Sequence, residues 1–482
     1  MRLQPIVAMK VGRMRSRSWH CVWHDSADLR LARDGLSLAQ GPNTGTSTGW
    51  RLEALFPGVG PGAAPWPPGA PPPVLATGSD LASLGLSALP PLHPVATCTG
   101  RLRILALAVD GTPVALSMLT ARIGTLARQV PCVRLWLEGD DAACLAVALE
   151  LAAQAPVAVA SASLAATALD RAGGPRRLGA PDMPAGLSPG DAFAHALGHL
   201  GDVTLHWGGV IAAGPPAVTD TEPVHQMRVA LRRLRACLSA FRHATDTPAM
   251  RALNEDARQL SGLLGPARDW DVFIAETGAA VAMAIGDDPA LGRLLDRAAR
   301  RRRAAYAALR RYLAGAAFRR MGIRLAGMAG GTGWRAALAP DQQAALASDI
   351  RDFAGTVMDR RLKRVRRAGE RIDGLEEAAL HGIRLDGKRL RYAAEIFAPL
   401  FERKKVARFQ RRLMELQERL GKLNDGAVTA DLMAQLMGTG RAGGKRAYAA
   451  GIVRGFVAAG GAAARADIER AWERFHRAKP FW

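Results

Sequence analysis

Two stretches of this chain, 156 residues apart, carry one pattern, and the duplication restricts the fold more than any other feature. Residues 225–242 read HQMRVALRRLRACLSAFR and residues 381–398 read HGIRLDGKRLRYAAEIFA. His225, Arg228, Arg233, Leu234, Arg235 and Phe241 recur as His381, Arg384, Arg389, Leu390, Arg391 and Phe397, while Arg232 recurs as Lys388 with its charge kept. The same offset carries Leu260, Leu264, Gly265 and Asp269 onto Leu416, Leu420, Gly421 and Asp425 without a gap. The similarity runs over about 45 positions, so the second half of the chain reads as two copies of one helical unit related by a pseudo-two-fold.

On a helix of ~100° per residue, His225, Arg228, Arg232 and Arg235 fall within about 80° of one another. The apolar stripe of Val224, Met227, Leu231, Leu234, Leu238 and Phe241 runs one residue to its side. The basic stripe therefore adjoins the core instead of lying opposite it. No Asp or Glu occurs from His225 to His243, so i±3 and i±4 neighbours cannot neutralise it. His381, Arg384, Lys388 and Arg391 repeat the arrangement. Two such stripes packed face to face repel unless an anion lies between them. Planar guanidinium groups suit a chain of phosphates. Arg360, Arg364 and Arg367, spaced 4 and 3, are expected to extend the groove. The run Arg297 and Arg300–Arg303 adds further basic surface.

The charge count agrees. The chain has 65 Lys+Arg against 43 Asp+Glu, a net +22, and only eight of the 65 are lysine. Residues 1–187 hold a net +4 and residues 188–482 a net +18. A field of that size on one half implies a polyanionic partner. Five scattered cysteines without a CxxC pair suit a reducing compartment and no zinc cluster, and the first 30 residues have no apolar signal core. The uncharged run Leu151–Leu169 contains Gln154 and Pro156 and reads as a packed helix and turn, not a membrane span.

Pro/Gly-rich stretches at 57–73 and 172–190 punctuate the chain. The first reads as a loop, the second as a linker between domains at 1–171 and 191–482. The repeats then occupy about 191–325 and about 341–482. The N-terminal part has strand-like runs at Trp19–Trp23, Trp50–Phe56, Leu102–Val109 and Val133–Leu137, with helical patterns at Leu29–Leu36 and Ala142–Leu151, and so reads as α+β. The C-terminal part keeps a 3.6-residue period over 224–243, 250–264, 291–313, 342–371, 375–398 and 402–420. Breaks are expected at Gly265-Pro266, Gly330-Gly331 and Gly443-Gly444, with Asp269 and Asp425 capping the helices that follow. Asp220 or Thr221, and Asp373, are expected helix starts.

The segments VHQMRVALRRLRACLSAF, LLGPARDWDV, LHGIRLDGKRLRYAAEIF and LQERLGKLNDGAV resemble the CHAD family, the conserved-histidine α-helical domain, over about residues 188–480. The resemblance implies an all-α domain of two helical bundles around a basic cavity. It implies binding of inorganic polyphosphate in the cytoplasm and recruitment to polyphosphate granules. His225, Arg228, Arg232, Arg235, His381, Arg384, Lys388 and Arg391 become the implied ligands, with a looser carry-over to Arg360, Arg364 and Arg367.

Members of that family often carry an N-terminal CYTH domain, a triphosphate tunnel. HDSADLRLARDGLSLA, WRLEALFPG and VRLWLEGDDAACLAVALELA resemble a degenerate copy, an antiparallel barrel or sheet. Its chemistry is missing. No Glu precedes Glu53, the strand after Gly35 reads LSLAQ where the family is Arg-rich, and Leu55 or Phe56 stands where a Lys belongs. Glu138 remains without the alternating carboxylates. Without converging carboxylates Mg²⁺ has no cage, so a catalytically dead domain is expected, with no metal and no cofactor.

His195 and His199, spaced i, i+4 and followed by His206, read as helix packing rather than a metal site. Aromatics make up 5% of the chain, which argues against base stacking on nucleic acid but not against contact with a duplex backbone. The leading expectation is a non-enzymatic polyphosphate binder. An inorganic triphosphatase and a basic nucleic-acid-associated protein stay open as alternatives, as do oligomeric state and preferred polymer length.

Overall fold

The computed structural model describes residues 9–11, 13–42, 48–56, 68–77, 90–171, 179–184, 186–215, 220–370, 372–437, 444–461 and 464–482. The chain forms two compact units. One comprises Met1–Gly179, Leu197–His206 and Ala316–Leu338; the other comprises Ala180–Ala196, Trp207–Gly315 and Ala339–Trp482.

The first unit is built on an antiparallel sheet. Its strands are β1 (Met9–Val11), β2 (Arg15–Asp25), β3 (Leu36–Pro42), β4 (Thr48–Ala54), β5 (Val74–Thr77), β6 (His93–Val109), β7 (Thr112–Thr125) and β8 (Gln129–Gly139). They run in the order β5-β4-β3-β2-β6-β7-β8, with β1 also paired to β6. The short helix α1 (Arg30–Arg33) links β2 to β3, α2 (Asp141–Gln154) follows β8, and α3 (Leu164–Ala168) lies on the sheet. Register explains the burial. Cys21 pairs with Cys98 and Cys98 with Ile123, so period-two side chains from neighbouring strands share one buried face with Trp19, Trp23, Leu102, Leu119 and Ala121. The Asp25 carboxylate accepts from the backbone N–H groups of Ser26 (2.8 Å), Leu31 (2.9 Å) and Ala32 (2.9 Å), which fixes the turn into α1. The Leu151–Leu169 run is the end of α2, a stretch without regular structure and the separate short helix α3, rather than one packed helix and a turn. Among the described residues no helix is long and apolar enough to cross a membrane.

The helical elements continue with α4 (Pro189–Ala213), α5 (Glu222–Thr245), α6 (Pro248–Val272), α7 (Ala279–Ile285), α8 (Pro289–Ala314), α9 (Ala316–Gly330), α10 (Gly333–Ala336), α11 (Pro340–Ala347), α12 (Ile350–Ala368), α13 (Glu377–Phe397), α14 (Arg403–Met437), α15 (Gly444–Gly461) and α16 (Ala464–His476). Residues 316–338 pack with the sheet's unit, a placement no periodicity announces. The Asp141 carboxylate accepts from the Thr332 N–H at 2.7 Å and the Gly333 N–H at 3.1 Å, and Leu145 fills the space beside Gly327.

The offset of 156 residues carries α5 onto α13, α6 onto α14 and α8 onto α15. All six apolar stripe positions of α5 are buried. α5 packs on α13, and the repeat mates Phe241 and Phe397 meet with ring centroids 5.7 Å apart, joined by Phe193 and Phe353. A second core joins the copies through Trp270, Phe273, Leu291 and Leu294 of one and Leu432, Leu436, Ala449 and Val453 of the other.

One expected break is corrected. α6 runs unbroken through Gly265-Pro266 to Val272. Pro266 and Gly262 are both exposed, so the carbonyl that the missing proline N–H leaves open lies on the solvent side of the helix. Asp269 therefore lies inside a helix and caps nothing. Asp425 lies inside α14, and its side chain falls outside the described residues. At the start of α5, Asp220 Oδ1 accepts from the Glu222 N–H at 2.9 Å. α13 starts after Glu376, and the side chain of Asp373 is outside the described residues.

Asp271 anchors α8 on α6. Its side chain is 1% exposed and accepts from Arg302 Nε and from the Tyr306 hydroxyl, each at 2.7 Å. Burial pushes its carboxyl up despite those donors. Asp271→Ala leaves a guanidinium and a phenol without their acceptor. It is expected to cost about 3–5 kcal/mol in urea unfolding, against about 1 kcal/mol for Tyr306→Phe.

Candidate functional site

The two basic stripes meet where α5 packs on α13. Lys388 is half-buried, and the positive charges that act on it are Arg384 and Arg391 from its own helix and Arg232 and Arg228 from the other copy, with the Asp269 carboxylate also within range. Burial first, and those four guanidinium groups next, press its pKa down from 10.5 to about 7. Arg232 is also half-buried, with Arg228, Arg391 and Arg233 around it, and its pKa is lowered, again mainly by burial. Its guanidinium carbon stands 5.9 Å from the centre of the Tyr392 ring, and its Nε is buried with no hydrogen-bond partner. Arg391 lies over the same ring at 4.8 Å, and its Nη2 donates to the Tyr392 hydroxyl at 3.1 Å.

Carboxylates reach the stripes both across helices, as Asp269 and Glu395 do for α5, and along α13, where Glu395 stands four residues after Arg391. The stripe is thus partly compensated, contrary to the reading from α5 alone. Arg228 pairs with Asp269 of α6 at 3.6 Å, and its guanidinium lies over Gly265, where a β-carbon would stand 3.5 Å from Nη1. Glu395 takes Arg233 Nε of the other copy at 3.0 Å and Arg391 at 3.3 Å. Asp269 is nevertheless shifted up, because burial outweighs the pull of Arg228, Arg268 and Lys388. Among the described residues, these two carboxylates stand among Arg228, Arg232, Arg233, Arg384, Lys388 and Arg391, which leaves the described charges net positive.

His225 belongs to this cluster. Burial, then Arg268, lower its pKa, with Arg232 and Arg228 adding to the effect. His381 is exposed, one turn before Arg384. Arg235 is also exposed, and its neighbouring charges are Arg258 and Arg389 rather than Lys388. The expected extension along α12 takes another form. Arg360, Arg364 and Arg367 are exposed. Arg364 Nε donates to Asp386 at 2.7 Å, an acceptor shared with Arg389, and Asp386 lies about 160° round α13 from Lys388. The α12 arginine that spans both copies is Arg361. It donates to the Arg389 carbonyl at 3.0 Å and to Ser239 Oγ at 3.1 Å, and burial lowers its pKa to about 10. Its signal was present in the sequence. Arg361 stands three residues after Met358 and four before Val365, both buried, whereas Arg360, Arg364 and Arg367 follow the exposed ridge.

On α8, Arg297, Arg300 and Arg301 line a recess of about 380 Å³ with Gln435 and Leu436. Among the described residues no group of three or more His, Cys, Asp or Glu is placed to hold a metal ion. His195 Nε2 bonds to the Asp182 carbonyl and His199 Nε2 to the Gly179 carbonyl, which are packing roles.

The model of the CHAD domain family matches residues 194–434. The crystal structure of the CHAD domain from the plant Ricinus communis is similar, with a TM-score of 0.53 and 26% identity over 63% of this chain and 97% of that one. PptA from Streptomyces chartreusis aligns with a TM-score of 0.46 and 21% identity over 59% of this chain and 99% of its own. A search of curated proteins returned no match. The family match spans half of the chain and contains both basic helices, and the chain belongs to the CHAD family.

Proposed function

We propose that the helical unit binds inorganic polyphosphate along the α5–α13 seam and that this binding recruits the protein to polyphosphate granules. The observation that carries the reading is the position of Lys388, enclosed by guanidinium groups of both copies. A linear polyanion satisfies all of them at once, through charge-assisted contacts from Arg228, Arg232, Arg384, Lys388 and Arg391, with His225 beside them. The exposed Arg235, His381, Arg360, Arg364 and Arg367 then serve as an outer ring that steers and holds the ends of a longer chain.

Titration with size-fractionated polyphosphate at two salt concentrations tests this. Affinity is expected to rise with chain length and to fall linearly in log–log form with salt, because each neutralised phosphate releases a counterion. Duplex DNA at equal phosphate concentration is expected not to displace the polymer. Displacement by DNA would favour the nucleic-acid reading instead. Phosphate release from tripolyphosphate with Mg²⁺ or Mn²⁺ would favour the triphosphatase.

A further inference from the structure

At one position of the seam the two copies differ in the chemistry they can do. Lysine stands at 388, and its repeat mate at 232 is arginine. A guanidinium stays protonated and is no nucleophile, whereas an ammonium that loses its proton becomes a primary amine.

The surroundings of Lys388 favour that loss. Arg384 and Arg391 act on it from α13, and Arg232 and Arg228 from α5. The carboxylate within range, Asp269 of α6, is held by Arg228 at 3.6 Å, and Glu395 is taken by Arg233 and Arg391. Among the described residues Lys388 itself has no hydrogen-bond or ion-pair partner. A partly buried amine beside like charges is the arrangement that activates lysine as a nucleophile. With its pKa pressed down to about 7, about half of Lys388 is neutral at pH 7, against about one in 2,500 for an ordinary exposed lysine. The residue is only half-buried, which leaves the amine open to small solutes. The same guanidinium groups that favour the amine attract an anionic donor and stabilise a phosphate leaving group.

We propose that Lys388 is a modification site for acyl phosphates, with its amine as the nucleophile and the surrounding guanidinium groups as the cradle of the phosphate. The Nζ lone pair attacks the acyl carbon. The bond from that carbon to the phosphate oxygen breaks, its electron pair leaves with the phosphate, and a proton of the nitrogen passes to the departing phosphate. An amide and hydrogen phosphate result. The amide carries no charge, so acylation removes a cation from the middle of the seam. That consequence for polymer binding rests on the polyphosphate reading; the acylation does not.

The test incubates the full chain with acetyl phosphate, and separately with the neutral ester N-hydroxysuccinimidyl acetate, at about pH 7 and 9. Peptide mass spectrometry compares acetylation of Lys388 with that of the exposed Lys404. At pH 7 Lys388 is expected to react with acetyl phosphate about tenfold or more faster than Lys404, and the neutral ester is expected to show a smaller preference. From pH 7 to 9 the rate at Lys388 should rise about twofold, against about a hundredfold for an ordinary exposed lysine. Long-chain polyphosphate should protect Lys388, and the acetylated protein should bind the polymer about tenfold or more weakly. Selective acetylation of Lys388 in a protein that does not bind the polymer would sustain this inference and sink the polyphosphate reading. Equal rates at Lys388 and Lys404 at pH 7, or a preference no larger for acetyl phosphate than for the neutral ester, would overturn the inference even where the polymer binds.

Discussion

Replacing Arg228 and Arg384 together by glutamate is expected to abolish polyphosphate binding while the helical content stays unchanged. Each guanidinium stands beside Lys388, one from each copy, and neither belongs to the apolar stripe. A charge-assisted contact contributes about 1.5–3 kcal/mol, so losing two weakens binding at least about a hundredfold before repulsion is added. Repulsion is added on both sides. The carboxylate introduced by Arg228→Glu would face the incoming phosphates and also Asp269, which Arg228 now holds at 3.6 Å. Each single variant should lose much of the affinity, because both stripes serve the same guest. Filter binding or calorimetry reads the loss, and far-UV circular dichroism the fold. Affinity retained in a folded Arg228→Glu/Arg384→Glu protein would move the site away from the seam.

The second large effect is on pH dependence. Lys388 is the one lysine in the two stripes, and its free-state pKa of about 7 leaves it roughly half protonated at neutral pH. A bound polyanion favours the ammonium form and raises that pKa toward its ordinary range. Bound protein then holds more protons than free protein between about pH 7 and the bound-state pKa, so affinity falls as pH rises through that window. His225, lowered by burial and its arginine neighbours, acts with the same sign at lower pH: affinity rises further as it protonates. At pH 7, binding is expected to take up about half a proton at Lys388, measurable as a dependence of the binding enthalpy on the buffer's ionisation enthalpy. Lys388→Arg keeps the charge and removes the titration, since arginine stays protonated. It should bind at about pH 7 at least as well as the wild type and show a flatter profile from about pH 7 to 9. An unchanged pH profile in that variant would place the proton elsewhere.

Much of this was legible because helix-on-helix burial imprints a 3.6-residue period. The α5 stripe from Val224 to Phe241 is buried at every position named, and the duplicated Phe241 and Phe397 meet in space. The cationic stripes were legible for the same reason, being one residue round from that core. Compensation across helices was not. Asp269 reaches Arg228 across 41 residues and Glu395 reaches Arg233 across 162, and no local spacing encodes such pairs, although the i,i+4 pair Arg391–Glu395 within α13 is local. The passage of α6 through Pro266 was illegible because proline's local rule counts the lost hydrogen bond and the ring clash, whereas the packing of Leu260, Leu264, Ala267 and Trp270 on either side holds the helix together. Mutual spacing groups Arg360, Arg364 and Arg367 on one ridge of α12. Spacing relative to Met358 and Val365 picks out Arg361 instead. In the N-terminal unit the alternation of Trp19, Cys21 and Trp23 announced a strand, but the attachment of 316–338 rests on α9 packing against α2 far away in sequence, with Leu145 beside Gly327 and Asp141 accepting from Thr332.

A structure of the protein with a short polyphosphate bound bears most directly on the central claim. The account predicts one phosphate chain whose oxygens lie within hydrogen-bonding distance of Arg228 or Arg232 from one copy and of Arg384, Lys388 or Arg391 from the other. A chain bound only along outer arginines, such as Arg297, Arg300 and Arg301, with the α5–α13 seam left unoccupied, would contradict it.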